Sequence, residues 1–429
     1  MSDSEQTSED SGSFKLLFLA VLIDLLGFGI IIPILPFIVK DINPVQEGIL
    51  LAVLLSAYSL AQFIASPLWG RLSDRIGRRP VILSGLFGSF LSFSMFALVR
   101  SYNLILISRV IQGLFTGATL PTARAYIADI TPKADRAKRY GLLGAAFGIG
   151  FTFGPAIGSL LSLKIFLIPT LPAHAAAGFF AAFLCLMNFL YARKSLPESL
   201  SDDMKEEAEL RREVQPNMLQ SINELVNFPQ VGVLLAIFLL TTLTFSSFES
   251  FLPLYANMID KLITQDNIGY FFAVIGIMVA VIQGGMVGPV VDRLGEDMTI
   301  LVSLGLEVLG FFLLAIANSL LGLIITIIPL AIGTALLNPS INSAISNRIP
   351  QDKQGSGMGI NSSVGSLGRV IGPVFGGILW DIAPRSVFYV GAGVLLVILF
   401  FSVMPLGRSQ PVQNDNVQYP QADIEQVAD

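Results

Sequence analysis

Twelve apolar runs divide this chain, at residues 16–39, 47–69, 80–99, 104–128, 140–162, 174–192, 230–255, 268–290, 299–317, 320–346, 356–380 and 386–406. Each is near the ~20 residues a helix needs to cross a hydrocarbon core about 30 Å thick. In lipid only helices and closed barrels satisfy their own backbone, and these runs are too long and continuous for barrel strands. An all-α membrane protein with twelve transmembrane helices is expected. Composition agrees, since 13% of the 429 residues are charged, against roughly 25% in ordinary soluble domains. Residues 1–15 are polar and acidic and offer no basic leader region, so the first apolar run is expected to direct insertion without cleavage.

Lysine and arginine set the orientation. With both termini cytoplasmic, the cytoplasmic segments hold eighteen of them and the outer loops five. Arg109, Arg124 and Arg369 fall inside helices and complete the 26. Residues 1–15 and 407–429 read as acidic cytoplasmic tails, and 193–229 as a cytoplasmic linker of mixed charge with a short surface helix. Between them lie two six-helix bundles, 16–192 and 230–406. No basic patch for nucleic acid is present. Cys185 has no partner for a disulfide and reads as a small core or lipid-facing residue.

The two bundles repeat each other at one constant offset of 218 residues. Gly70, Asp74, Arg75 and Gly77 recur as Gly288, Asp292, Arg293 and Gly295. Gly150, Gly154, Pro155 and Gly158 recur as Gly368, Gly372, Pro373 and Gly376. Pro121, Pro132 and Gly141 meet Pro339, Pro350 and Gly359. The glycines at fourfold spacing lie on one helix face and let helix backbones approach closely in lipid. In the loop from Gly70 to Pro80, glycine permits a tight turn. Asp74 suits a helix N-terminus, and Arg75, Arg78 and Arg79 suit acids or anionic lipid.

The sequence GRLSDRIGRRP resembles the signature loop of the major facilitator superfamily. Helix 1, from Asp24 through Gly27, Gly29, Pro33 and Pro36, resembles that of its drug:proton antiporters. The tract from Ala125 through Asp129 to Pro155 is similar to bacterial tetracycline/proton antiporters. Arg109, Gln112 and Gly113 match the family's helix 4. Gly150, Gly154, Pro155 and Gly158 match its helix 5 motif, with Ser159 where the family has a second glycine. The resemblance implies the major facilitator fold, two pseudo-symmetric bundles working by alternating access. It also implies that Asp74 caps helix 11 in the outward-open form and that Arg78 pairs with Asp129.

Ionisable residues inside a membrane are functional candidates by default. Asp24 is expected to bind a proton or substrate, with Arg109 as its electrostatic partner. Arg109, Gln112 and Thr116 share one helix face, Glu249 is the second half's best carboxylate, and Arg369 interrupts a glycine-rich helix as a candidate substrate ligand. Glu307 lies on a helix that is peripheral in this fold. Arg124 is expected to pair with Asp129 or to reach the interface, and His174 reads as a surface or capping residue. One histidine and one cysteine make no metal site, and Gly355-x-Gly357-x-Gly359 follows no strand and so makes no nucleotide loop. No cofactor and no enzyme chemistry is implied.

The expected function is proton-coupled export of a small amphiphilic molecule by an inner-membrane transporter that meets lipid, protons and substrate and works as a monomer. The alternatives are an uptake symporter or facilitator for a nutrient or iron chelate, and a receptor or scaffold without transport. Reporter fusions after residues 45, 103 and 262 should report outside, and those after 76, 135, 210 and 412 inside. An outside signal at 210 would contradict the two-by-six arrangement.

Overall fold

The computed structural model describes residues 3–131, 139, 143, 146, 149–150, 153–163, 170–200, 223–265, 267–350 and 354–407. The linker residues 201–222 and the tail from 408 lie outside them. Helices α1 (Asp3–Ile31), α2 (Leu35–Ile42), α3 (Glu47–Ile76), α4 (Arg78–Leu98) and α5 (Tyr102–Ile130) come first. A helix α6 (153–161) and α7 (Ala175–Ser195) complete the first half. The second half holds α8 (Val231–Ile259), α9 (Ile268–Gly285), α10 (Val287–Leu294), α11 (Glu296–Ile316), α12 (Leu320–Arg348), α13 (Gln354–Ile382) and α14 (Ser386–Gly407). No strand occurs among the described residues.

Among the described residues, ten spans are long and apolar enough to cross a membrane. Of the two other apolar runs, 140–162 is only partly described. The other forms α13, whose glycines and serines dilute its apolarity. Large apolar side chains such as Phe400 and Leu321 point outward, as a lipid-facing surface requires. Helix 1 does not run straight. It breaks after Ile31 and restarts as α2, because Pro33 and Pro36 lack the N–H groups a continuous helix needs. At the other end its helical backbone reaches back to Asp3, into the segment expected to be a solvated tail. Gly284 and Gly285 mark a second break, between α9 and α10.

Glycine shapes each half in the same two ways. Gly77 and Gly295, one repeat apart, take φ values of 106° and 77°. A side chain would be strained there, so these glycines turn α3 into α4 and α10 into α11. The fourfold glycines are seams: Gly154 of α6 lies on Gly29 of α1, where a Cβ would come within 2.7 Å of the Gly29 Cα. Gly372 of α13 lies equally tightly on α8, with the Leu243 carbonyl 2.5 Å from where its Cβ would be. The two halves then meet along α3 and α13, where the Ser56 hydroxyl donates to the Val370 carbonyl at 2.7 Å.

The α1–α6 seam has no room to spare. Gly154→Val should therefore destabilise the fold by ~1–3 kcal/mol through overpacking, read as a lower unfolding temperature in detergent. Gly393→Val, on α14 with nothing within 4 Å of its Cβ position, is the control and should be near neutral. Equal effects of the two would remove the seam argument.

Candidate substrate cavity and conformational switch

The two ends of the bundle differ. At one end a carboxylate from the second half seals the first. Asp381, in the last turn of α13, accepts hydrogen bonds from the Gly48 and Ile49 amides, both at 3.1 Å. Those amides are donors of the first turn of α3, which carry the positive end of the helix dipole. Next to them the Trp380 indole N–H donates to Glu47 at 3.2 Å, and Lys40 donates to Asn257 at 2.7 Å. Gly377 leaves room for this approach, since a Cβ there would meet the Gly48 carbonyl at 2.7 Å. On the opposite flank the Gly269 amide donates to the Ser159 hydroxyl at 2.7 Å. Ser159, the departure from the helix 5 glycine pattern, thus ties the halves together.

The other end carries the signature loop. Arg78 opens α4 and is almost fully buried. Its Nε reaches Asp129 at 3.1 Å, its Nη1 donates to Ser73 at 2.7 Å, and it pairs with Asp74. Asp74 lies in the last turn of α3. Four residues before Arg78 on adjoining helices, it answers that residue's positive charge. Glu198 takes the N-terminal position, accepting from the Arg78 amide at 2.8 Å and the Arg79 amide at 3.2 Å. Ser199 adds a bond to Asp129 at 2.9 Å. The start of the linker is therefore built into this loop, a contact that spacing in the sequence gave no sign of.

The repeat keeps the position of this cluster and exchanges its charges. In the second half the acids stand at the helix start and the base at the far helix end. Arg348 holds Asp297 with two bonds of 2.6 and 2.7 Å and takes Gln230 at 3.0 Å. Asn347 donates to Glu296 at 2.8 Å, and Ser343 also bonds it. Arg75 lies in the last turn of α3, and Arg293, its repeat, in that of α10, a helix that buries none of its residues. Arg124, expected to pair with Asp129 or to reach the interface, donates to Ser362 across the halves at 3.0 Å. Asp129 is already occupied by Arg78 and Ser199.

Between these ends the intramembrane charges separate into two settings. Asp24 is buried inside the first half, on α1, and accepts from Ser89 of α4 at 3.1 Å, with the Thr116 hydroxyl close by. No ion pair joins it to Arg109 among the described residues. The Arg109 guanidinium lies over the Phe96 ring at 5.2 Å and the Tyr58 ring at 6.0 Å. Such cation–π contacts supply the partner the carboxylate was expected to be. Gln112, beside it on α5, is fully buried. Glu307 is buried between α11 and α12, accepting from Thr334 at 3.0 Å in space left by Gly333. His174 is buried, not at the surface, and its Nε2 lies 3.0 Å from the Phe96 carbonyl and 3.1 Å from that of Val99. A flanking position at a helix start hides such tertiary contacts from the sequence.

Glu249 of α8 and Arg369 of α13 occupy the other setting. They line a cavity of about 30 Å³ between the halves, with Phe28, Ile32, Leu55 and Ser59 on the first-half side. Tyr58 stands between the two settings, stacked on Phe28 at 4.8 Å and within electrostatic reach of Asp24, Arg109 and Arg369. Sequence reasoning missed it. A lone tyrosine in an apolar run carries no signal until its neighbours are known.

Two six-helix bundles around a charged central cavity, clasped to each other at the Asp381 end, define a multi-pass membrane transporter. The sequence matches the Major Facilitator Superfamily over residues 17–287 and again over 258–425, and the chain belongs to that family. It is 29% identical to the quinolone resistance protein NorA of Staphylococcus aureus (strain MSSA476) over 389 residues, 89% of this chain and 93% of that one. It is 31% identical to the class E tetracycline resistance protein of Escherichia coli over 409 residues, 93% of this chain and 96% of that one. Among solved structures, a D-xylose-proton symporter superposes with a TM-score of 0.73 at 16% identity, covering 91% and 96% of the two chains. The human organic anion transporter MFSD10 (TETRAN) superposes at 0.66 with 24% identity, covering 92% and 99%. These are transporters, not enzymes.

The Asp381 contact makes its own prediction. An exposed charge at a helix terminus contributes ~0.3–1 kcal/mol, so Asp381→Asn should open this end roughly two- to fivefold more often. With Cys185 replaced and a cysteine placed at Ser59, an impermeant thiol reagent offered from the Asp381 side should label correspondingly faster. Unchanged labelling would mean that the contact takes no part in closure.

Proposed function

We propose that this transporter is a proton-coupled antiporter exporting a small amphiphilic molecule across the inner membrane. In this reading residues 16–192 and 230–406 are the rocking bundles and 193–229 their cytoplasmic linker. The excess of lysine and arginine on one side supports a cytoplasmic Arg78 end and cytoplasmic termini. The Asp381 end is then the outer one, and the conformation described is closed to the outside. The relatives named for quinolone and tetracycline resistance support export.

The observation that carries the reading is the setting of Asp24. A carboxylate within the membrane is costly unless it is paired or protonated. Asp24 has hydroxyl neighbours and no ion pair among the described residues, and Tyr58 links its surroundings to the cavity. Taking up and releasing a proton changes the charge next to a bistable interface, and a ligand that binds the two arrangements differently completes the cycle. Arg78, Asp74, Asp129 and Gly70 through Gly77 form the cytoplasmic switch, which must rearrange when the outer closure parts. The glycine seams of α6 and α13 are the surfaces along which helices slide.

Asp24→Asn mimics the protonated state. In inside-out vesicles it should abolish gradient-driven accumulation and leave downhill exchange of the same compound. Arg109→Ala should shift the pH dependence and retain coupling. Undiminished uphill accumulation by Asp24→Asn would remove Asp24 from the proton's path and leave Glu249 to be tested. Accumulation in right-side-out vesicles alone would favour uptake over export.

A further inference from the structure

The structure sorts the membrane charges in a way that bears on the substrate. Asp24, Arg109 and Glu307 are buried within one half or the other, whereas Glu249 and Arg369 both reach the cavity between the halves. They lie close enough to attract each other, yet no ion pair joins them among the described residues. Arg369 is steadied by Ser366, to whose hydroxyl its Nη2 donates at 3.2 Å. A cavity of this size holds roughly one water's share of liquid volume, so a ligand enters as the halves part.

Two opposite charges that share one low-dielectric cavity without closing into an ion pair leave each other only partly answered. A cationic ligand would answer Glu249 and leave Arg369 unanswered, and an anionic one would do the reverse. The remaining wall is an aromatic and aliphatic face, Phe28, Ile32 and Leu55, with Ser59, Ser246 and Ser250 as hydrogen-bonding groups. We infer that the cavity is built for a zwitterionic amphiphile, its cationic centre at Glu249, its anionic centre at Arg369 and its ring against Phe28. This rests on the reading of the cavity as the substrate site, and it names the substrate class.

The test uses one biaryl scaffold with a benzylic amine at one end and a carboxylate at the other, compared with its methyl ester (cation only) and its N-acetyl derivative (anion only). Binding to the full-length protein is measured in detergent, without any gradient. A charge-assisted contact stabilises by ~1.5–3 kcal/mol, so the zwitterion should bind on the order of tenfold or more tighter than either derivative. Glu249→Gln should bring its affinity down to that of the N-acetyl compound, and Arg369→Gln down to that of the ester. Glu249→Asp and Arg369→Lys, which keep the charges, should keep the order and serve if a glutamine variant misfolds. An ester that binds as tightly as the zwitterion and ignores Arg369→Gln would overturn the inference, as would no binding of the zwitterion. Failure of the affinity order with gradient-driven transport intact condemns the substrate class alone. The order intact without such transport condemns the antiport reading alone.

Discussion

A charge has few tolerable places inside a hydrocarbon slab, and the organisation of this protein follows from where each one is put. Removing an ion from water costs several kcal/mol unless a partner, a proton or a ligand answers it. At the Arg78 end the answer is a dense network in which one guanidinium meets two carboxylates and a hydroxyl. At the Asp381 end it is a pair of backbone amides at a helix start. Inside the first half a guanidinium rests on two aromatic rings. Glu249 and Arg369 look into the cavity between the halves.

That sorting ties structure to a cycle. The Asp381 closure is made of contacts that add little individually: two amide–carboxylate bonds, one indole bond, one lysine–amide bond and the Gly269–Ser159 bond. Contacts of that size break readily, as alternating access demands. The Arg78 network is buried more deeply and anchored by Glu198 and Ser199 from the linker. Glu198 thus ties the chain after α7 to the turn between α3 and α4, and Ser199 ties it to Asp129. The exchange of acid for base between Arg78–Asp129 and Arg348–Asp297 shows that the repeat conserves the place of a clasp and not its chemistry.

Much of the fold was legible in the sequence because lipid leaves a helix no alternative and because duplication prints each motif twice. Run length gave the spans, and glycine spacing gave the seams at Gly154 and Gly372. What stayed hidden depended on which face a side chain presents. Asp24 and Arg109 share a region of the first half, yet the guanidinium turns to Phe96 and Tyr58. Arg124 lay a few residues from Asp129 in sequence, yet it is Arg78 that holds that carboxylate. The Asp381 closure and the Tyr58 bridge join residues far apart in sequence, or carry no unusual composition, so no local pattern announces them.

The claim on which the account turns is that protonation inside the first half biases a reciprocal opening of the two ends. Spin labels at Asn103 and Leu262 would report on the Asp381 end, and labels at Ile76 and Leu294 on the Arg78 end, since all four positions are exposed. Pulsed electron resonance on the two pairs, in lipid nanodiscs at alkaline and then acidic pH, measures both distances without needing a substrate. The account predicts that acidification moves the two distance distributions in opposite directions, and that Asp24→Asn freezes them in the acidic pattern at either pH. Distances that ignore pH, or that lengthen together, would contradict it.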